Sequence, residues 1–249
     1  MPGSSSIIPL LCGMAFALAT VPASGAEDLL PYRDRIEQGY NARDNQLIEV
    51  AIADLSKAGI ASDQEDLATY YTAFARLRQS AIPGTDKSRA RNYLEQCIDV
   101  LEPLLERRSD YAQARALYAS CLGASANYYV LKAATRGLAA GREMTAALKL
   151  APDNPWVVFQ DAISDFLTPA MFGGNRSRAL DKLKRSEQLF VVSRPSGSTE
   201  PVFGESEAWL YMGRVYLAEG KKDKAREALE KARTLAPESA DVRDELAKL

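Results

Sequence analysis

The chain has 249 residues, of which 47% are hydrophobic, and its 31 Lys and Arg residues nearly balance 33 Asp and Glu residues. A net charge of −2 argues against a general binder of nucleic acid or of anionic membranes. No histidine occurs, which removes the usual general base near neutral pH, the His-based nucleophilic triads and the commonest metal ligand. We therefore expect a protein that is not an enzyme and that has no catalytic residues, metal site or cofactor.

The first 26 residues have the pattern of a cleavable signal peptide. An apolar run extends from Ile7 to Val21, and the small residues Ser24 and Ala26 suit cleavage after Ala26. The usual positive charge before the apolar run is missing, and the run is shorter than the roughly 20 residues that a spanning helix needs. We expect export to the periplasm or secretion, no stable membrane insertion of the mature chain, and a single domain over residues 27–249.

The rest of the chain reads as a series of amphipathic helices. Apolar residues recur at steps of three and four, which is the spacing of one helix face. Beta-branched runs are scarce after the first 21 residues, which also favours helix. The pattern predicts helices over residues 29–40, 46–57, 63–79, 86–107, 110–122, 125–150, 156–167, 178–191 and 239–249. A Pro/Gly/Ser-rich linker is expected over residues 193–205.

The clearest unit covers residues 206–239 and reads as two helices joined by a tight turn. Ser206 is expected to cap the first helix. Gly220 suits the turn, because glycine adopts a left-handed conformation at little cost, and Pro237 ends the second helix. The positions that define the unit are Trp209, Met212, Gly213, Tyr216, Gly220, Ala225, Leu229, Ala232 and Pro237.

At every one of these positions the unit resembles the tetratricopeptide repeat, and residues 155–191 resemble a variant of it with an inserted loop. The resemblance is to exported bacterial proteins of that family. It implies an all-α fold: a right-handed superhelical stack of about five helical hairpins, with residues 239–249 as a C-terminal capping helix.

The resemblance also implies a binding scaffold that recognises a protein or peptide partner on a concave helical surface. The groove positions of the final repeat would be Leu210, Arg214 and Leu217, and Arg214 could bind a carboxylate or could be an ordinary surface arginine. A second interpretation is a periplasmic ligand-binding component similar to the T component of TRAP transporter systems, which would hold a small molecule.

Two other groups of residues are candidates for binding. The aromatic residues Tyr128, Tyr129 and Trp156 either line the concave surface or belong to the core. In the loop Met171–Asn175, Asn175 is expected to cap the following helix while Met171 and Phe172 pack beneath the loop. The alternative is that Phe172 and Asn175 line a ligand pocket.

The two cysteines of the mature chain, Cys97 and Cys121, lie at equal distances from an expected turn near residue 109. Antiparallel helices would therefore bring them side by side. A disulfide and a pair of buried free thiols both fit this arrangement.

Overall fold

A computed structural model describes residues 28–129, 131–193 and 204–249. The predicted signal peptide and most of the predicted linker lie outside these residues. The described residues form eleven α-helices in the order α1 Leu30–Asn41, α2 Asn45–Leu55, α3 Glu65–Ala81, α4 Lys87–Arg107, α5 Ala112–Ala126, α6 Ala133–Leu150, α7 Pro155–Leu167, α8 Arg176–Val192, α9 Glu205–Ala218, α10 Lys222–Leu235 and α11 Ala240–Leu246.

The helices pack as successive antiparallel hairpins. The pairs are α1 with α2, α3 with α4, α5 with α6, α7 with α8 and α9 with α10, while α11 covers α9 and α10. The first helices of the hairpins also pack on one another in order, from α1 to α9. This confirms the expected all-helical stack of about five hairpins and a capping helix.

Two local predictions were wrong. The predicted helix over residues 125–150 is interrupted, because α5 continues to Ala126 and α6 begins only at Ala133. Ser206 does not cap α9; the cap position is Gly204, whose φ of 119° is left-handed, and Ser206 lies inside the helix. Gly204 abuts the ring of Trp156, where an added Cβ would lie 3.2 Å from a ring carbon.

The final hairpin is held by close approach of its two helices. A Cβ added to Gly213 of α9 would lie 2.6 Å from Cγ of Leu229 in α10. Leu210, Leu229, Ala232 and Val242 form a buried cluster that joins α9, α10 and α11. The small residues of the repeat therefore set the spacing at which the capping helix can seal the end of the stack.

Aromatic side chains fill the interior between hairpins that are not neighbours in sequence. The ring of Phe74 in α3 lies 5.7 Å from that of Trp156 in α7, and Trp156 stacks on Phe159 at 5.4 Å. Phe159 in turn meets Tyr211 of α9 edge-on at 6.2 Å. One continuous apolar cluster therefore runs from the first hairpin to the last.

A buried ion cluster ties the first, second and fifth hairpins together. Arg78 of α3 donates two hydrogen bonds of 2.6 Å to the carboxylate of Glu207 in α9. It also donates bonds of 3.1 and 3.2 Å to Glu37 in α1. In an open solenoid each repeat contacts only its neighbours, so these bonds show a stack that closes on itself.

A second set of contacts closes the same seam at the surface. The turn between α1 and α2 places Arg43 2.7 Å from both Asp241 and Asp244 of α11. Asn41 donates a hydrogen bond of 3.0 Å to Glu238. The turn after α1 and the capping helix α11 are therefore joined directly, although they lie far apart in sequence.

Of the two alternatives for the cysteines, the structure has the disulfide. Cys97 of α4 and Cys121 of α5 are joined across two helices, and both side chains are fully buried. Within the described ranges, no helix is both long and apolar enough to cross a bilayer.

Candidate functional site

The loop between α7 and α8, residues 168–175, is held in place by Asp165. This buried carboxylate accepts a hydrogen bond of 2.7 Å from Nε of Arg178 and lies 2.6 Å from Nζ of Lys182. Burial raises the pKa of Asp165, but its bonds to Arg178 and Lys182 outweigh that effect and hold the pKa below its ordinary value. Asp165, Arg178 and Lys182 therefore form a cluster of ion pairs at the base of the loop.

The loop backbone has little freedom. Gly173 has a φ of 95° and its carbonyl accepts a bond of 2.7 Å from Arg178. A Cβ added to Gly174 would lie 1.7 Å from the carbonyl oxygen of Thr168. Asn175 caps α8, as predicted, by accepting a bond of 2.9 Å from the amide of Arg178. These contacts fix the path of the chain through the loop.

The apolar side chains of this loop face solvent. Met171 is 83% exposed, Phe172 is 73% exposed and Leu167, at the end of α7, is 63% exposed. The expectation that Met171 and Phe172 pack beneath the loop is therefore wrong, because Asp165 and its cationic partners occupy that place. We call residues Leu167, Met171 and Phe172 the apolar loop patch.

A cleft lies beside Tyr129, near the first turns of α4 and α6 in the second and third hairpins. It has a volume of about 370 Å³ and is lined by Ser88, Arg89, Arg91, Asn92, Glu95 and Tyr129. We call it the Tyr129 cleft. The ring of Tyr129 lies 4.3 Å from the guanidinium carbon of Arg136, 5.7 Å from that of Arg91 and 5.8 Å from Nζ of Lys132.

Glu95, the carboxylate that lines this cleft, is already paired with a cation. Glu95 accepts hydrogen bonds of 2.6 and 2.9 Å from Arg136, which also donates a bond of 2.7 Å to the hydroxyl of Ser125. The bonds from Arg136 lower the pKa of Glu95. Among the described residues, no carboxylate lies within salt-bridge distance of Arg89, Arg91 or Lys132. The cleft is thus an aromatic surface beneath a surplus of positive charge.

Comparison with known families identifies the C-terminal part of the chain. The sequence profile described as tetratricopeptide repeat matches residues 206–249. These residues form nearly all of α9 together with α10 and α11. They are a tetratricopeptide repeat.

Two solved structures share the architecture. A thermophilic tetratricopeptide repeat protein of Thermus thermophilus aligns with a TM-score of 0.59 at 16% identity, covering 87% of this chain and 97% of that one. The HusA haemophore of Porphyromonas gingivalis aligns with a TM-score of 0.53 at 22% identity, covering 79% of this chain and 96% of that one. At these identities the likeness shows the fold. A comparison with curated proteins finds no significant sequence match.

Within this tetratricopeptide repeat fold, several predicted binding residues belong to the interior. Trp156 is 1% exposed and Leu210 is 3% exposed, so neither offers its side chain to a ligand at the surface. Leu217 is half-buried and packs against the cluster that seals the last repeat. Tyr128 is half-buried and packs against the main core. Burial thus favours the core alternative for Trp156 and corrects the predicted groove position of Leu210, which lies in the core.

Arg214 is committed to the capping helix. Its guanidinium donates bonds of 2.9 Å to Glu245 and to Asp241 of α11, and lies 4.9 Å from the centre of the Tyr211 ring. The hydrogen bonds and charges of these partners outweigh burial and raise its pKa above the ordinary arginine value. The predicted carboxylate-binding arginine therefore already binds carboxylates of its own chain and fastens α11 to α9.

Arg89 and Arg91 were missed by the sequence reasoning. The available signal was the start of α4, where Lys87, Arg89 and Arg91 follow the capping residue Asp86 with no acidic residue in the first turn. A helix N-terminus carries partial positive charge, so cations there oppose the helix dipole. Basic residues in the first turn therefore lower the stability of α4, which suggests that Arg89 and Arg91 have a role other than stabilising the helix.

Proposed function

We propose that this protein is an exported, non-catalytic scaffold that binds a partner protein, and that the apolar loop patch is the main contact surface. One observation carries the proposal: Met171 and Phe172 are 83% and 73% exposed on a loop whose backbone is fixed. Aromatic and Met side chains are enriched in interfaces, and a loop whose backbone is already fixed loses less conformational entropy on binding.

The closed interior supports this location. The buried rings of Phe74, Trp156 and Phe159 pack on one another between the first helices α3 and α7. Arg78 joins α3 to α1 and α9 through its bonds to Glu37 and Glu207. The concave mode of binding that the family resemblance implied would require these contacts to open, whereas the apolar loop patch is accessible without any rearrangement.

The disulfide supports export. Disulfides persist in the periplasm and outside the cell and are rare in a reducing cytosol, and Cys97 and Cys121 are placed to form one in the core. Together with the signal-like sequence of residues 1–26, this favours a periplasmic or secreted protein. Mass measurement of protein from the native host tests the point, since cleavage predicts a chain that begins at Glu27.

The binding surface is tested by quantitative capture from periplasmic extracts of the native host. The wild-type chain is compared with the double variant Met171→Ser and Phe172→Ser. We expect the captured amount of each specific partner to fall at least tenfold in the double variant. The two apolar side chains would be buried by the partner, and their loss removes more than about 1.4 kcal/mol of binding free energy.

The matched control is Leu138→Ser on α6, where a side chain of 67% exposure is changed in the same way. Capture by this control should equal that of the wild type. Equal capture by all three proteins would contradict the proposal. A small molecule retained by the wild type in native mass spectrometry, with no protein partner, would instead favour the ligand-binding interpretation.

A further inference from the structure

We infer that the Tyr129 cleft is a second recognition site that binds the carboxylates of an acidic peptide segment. This inference goes beyond the proposed function, because the cleft lies on α4 and the turn between α5 and α6, whereas the apolar loop patch belongs to α7 and α8. Either site can fail its test while the other passes.

Among the described residues, several cations at the cleft have no carboxylate partner at salt-bridge distance. Arg89 and Arg91 line the cleft, and Lys132 lies at its edge beside Tyr129. Within the described part of the chain these cations have no carboxylate partner at salt-bridge distance, whereas Arg136 is consumed by Glu95. Arginine pairs with carboxylates through two parallel hydrogen bonds, which gives geometric selectivity as well as attraction.

The stability of α4 does not require Arg89 or Arg91. Asp86 caps α4 by accepting bonds of 2.9 and 3.2 Å from the amides of Ser88 and Arg89. The helix end is therefore already satisfied, and the side chains of Lys87 and Arg89 add repulsion with the helix dipole. A feature that costs stability and lines a cleft is better explained by a ligand.

The ring of Tyr129 gives the cleft an aromatic surface. The ring of Tyr129 is partly buried and is held between the helices by Arg136, whose guanidinium lies over its face at 4.3 Å. Its remaining surface can cover the apolar part of a peptide while Arg91 binds an adjacent carboxylate. The cleft, of about 370 Å³, is lined mostly by exposed residues and is open to solvent, so a peptide segment can reach both the ring and the arginines. The chemistry thus fits alternating acidic and small residues better than an isolated inorganic anion.

The test uses the full mature chain and a fluorescein-labelled octapeptide of alternating glutamate and serine, with its C-terminus amidated. Binding is measured by fluorescence anisotropy at low salt. We expect saturable binding that weakens about tenfold in the variant Arg89→Gln with Arg91→Gln, and about threefold in Tyr129→Leu. A second octapeptide of serine and glycine with a free C-terminus distinguishes a terminal carboxylate from acidic side chains as the source.

The matched control is Arg142→Gln with Arg226→Gln, which removes the same charge from exposed positions on α6 and α10. This control should bind within twofold of the wild type. Loss of the dipole repulsion should leave the thermal midpoint of the Arg89→Gln, Arg91→Gln variant equal to or above that of the wild type, so weaker binding would not reflect unfolding.

Three results would overturn the inference. The first is no saturable binding of either peptide by the wild type. The second is an equal loss of binding in the control variant, which would show attraction by overall charge. The third is binding of inorganic phosphate, or of anionic lipid vesicles, at concentrations where the acidic peptide does not bind.

Discussion

At the scale of single residues, the glycines separate into those that a neighbour requires and those that stand in open space. Gly213 faces Leu229 so closely that a methyl group would displace it, whereas nothing lies within 4 Å of a Cβ added to Gly137. The spacing of the repeat predicts the first case. The second cannot be read from the sequence, because the spacing of Gly137 and Gly141 does not say which face of α6 is packed.

We expect Gly213→Ala to lower the free energy of unfolding by about 1–3 kcal/mol through overpacking. Gly137→Ala should raise it by about 0.5–1 kcal/mol, because alanine is the better helix former and meets no neighbour. Urea denaturation followed by circular dichroism measures both. Equal effects of the two substitutions would contradict the packing described for α9 and α10.

Glu37 gives the protein a specific dependence on pH. Burial, with the nearby charge of Glu207, outweighs the attraction of Arg78 and raises the pKa of Glu37 to about 7. The unfolded state has a lower pKa for this group, so between about pH 4.5 and 7 the folded protein binds more protons. Stability from this group is therefore present at low pH and is lost as pH rises towards 7.

The variant Glu37→Gln should remove this part of the pH dependence, since it cannot ionise. We expect the wild type to lose stability between pH 5 and pH 7.5 and the variant to lose clearly less, as measured by urea unfolding at the two pH values. Glu49→Gln is a suitable control, because Glu49 pairs with Arg76 away from this cluster. A wild type that gains stability over this interval would refute the assignment.

At the scale of elements, the sequence predicts the final hairpin best. Gly220 and Pro237 fix where α9 and α10 end, and the small residues fix how they pack. The break between α5 and α6 was missed because residues 127–132 contain neither glycine nor proline. Tyr129, which follows α5, contacts Arg91 of α4, and a contact of this kind between distant residues is not visible in the helix periodicity. Periodicity likewise could not show that Met171 and Phe172 stay exposed, because their place beneath the loop is taken by an ion cluster.

The disulfide supports the junction of α4 and α5, which lies between the second and third hairpins. Cys97 and Cys121 close a loop of 24 residues, and a link of this length stabilises by about 3 kcal/mol, mainly by constraining the unfolded chain. The double variant Cys97→Ala with Cys121→Ala should lose about this amount in urea denaturation. Unchanged stability would contradict a formed disulfide, and free-thiol labelling of the unfolded, unreduced wild type gives an independent count.

At the scale of the whole molecule, the closed stack distinguishes this chain from an open solenoid. The resemblance to the tetratricopeptide repeat predicts hairpins, but closure depends on pairs far apart in sequence, such as Arg78 with Glu207. Single-sequence patterns do not reveal such pairs. The same limit hid the role of Arg214, whose partners lie in α11.

Removal of the Arg78 side chain should loosen the closure and destabilise the fold. Arg78→Met leaves Glu37 and Glu207 without their shared cation, which costs about 3–5 kcal/mol for a buried pair. Fluorescence and circular dichroism should report one coincident transition in the wild type. The control Arg142→Met should lie within about 0.5 kcal/mol of the wild type. A similarly small effect for Arg78→Met would show that the closure contributes little.

We propose that partners bind the apolar loop patch rather than the interior of the stack. The most direct test places a photoreactive phenylalanine analogue at Phe172 in one protein and at Leu217, the predicted groove position, in another. Each is irradiated in the native host and cross-linked products are identified by mass spectrometry. If partners bind the apolar loop patch, we expect partner cross-links from position 172 and none from position 217. Cross-links from 217 alone would contradict it.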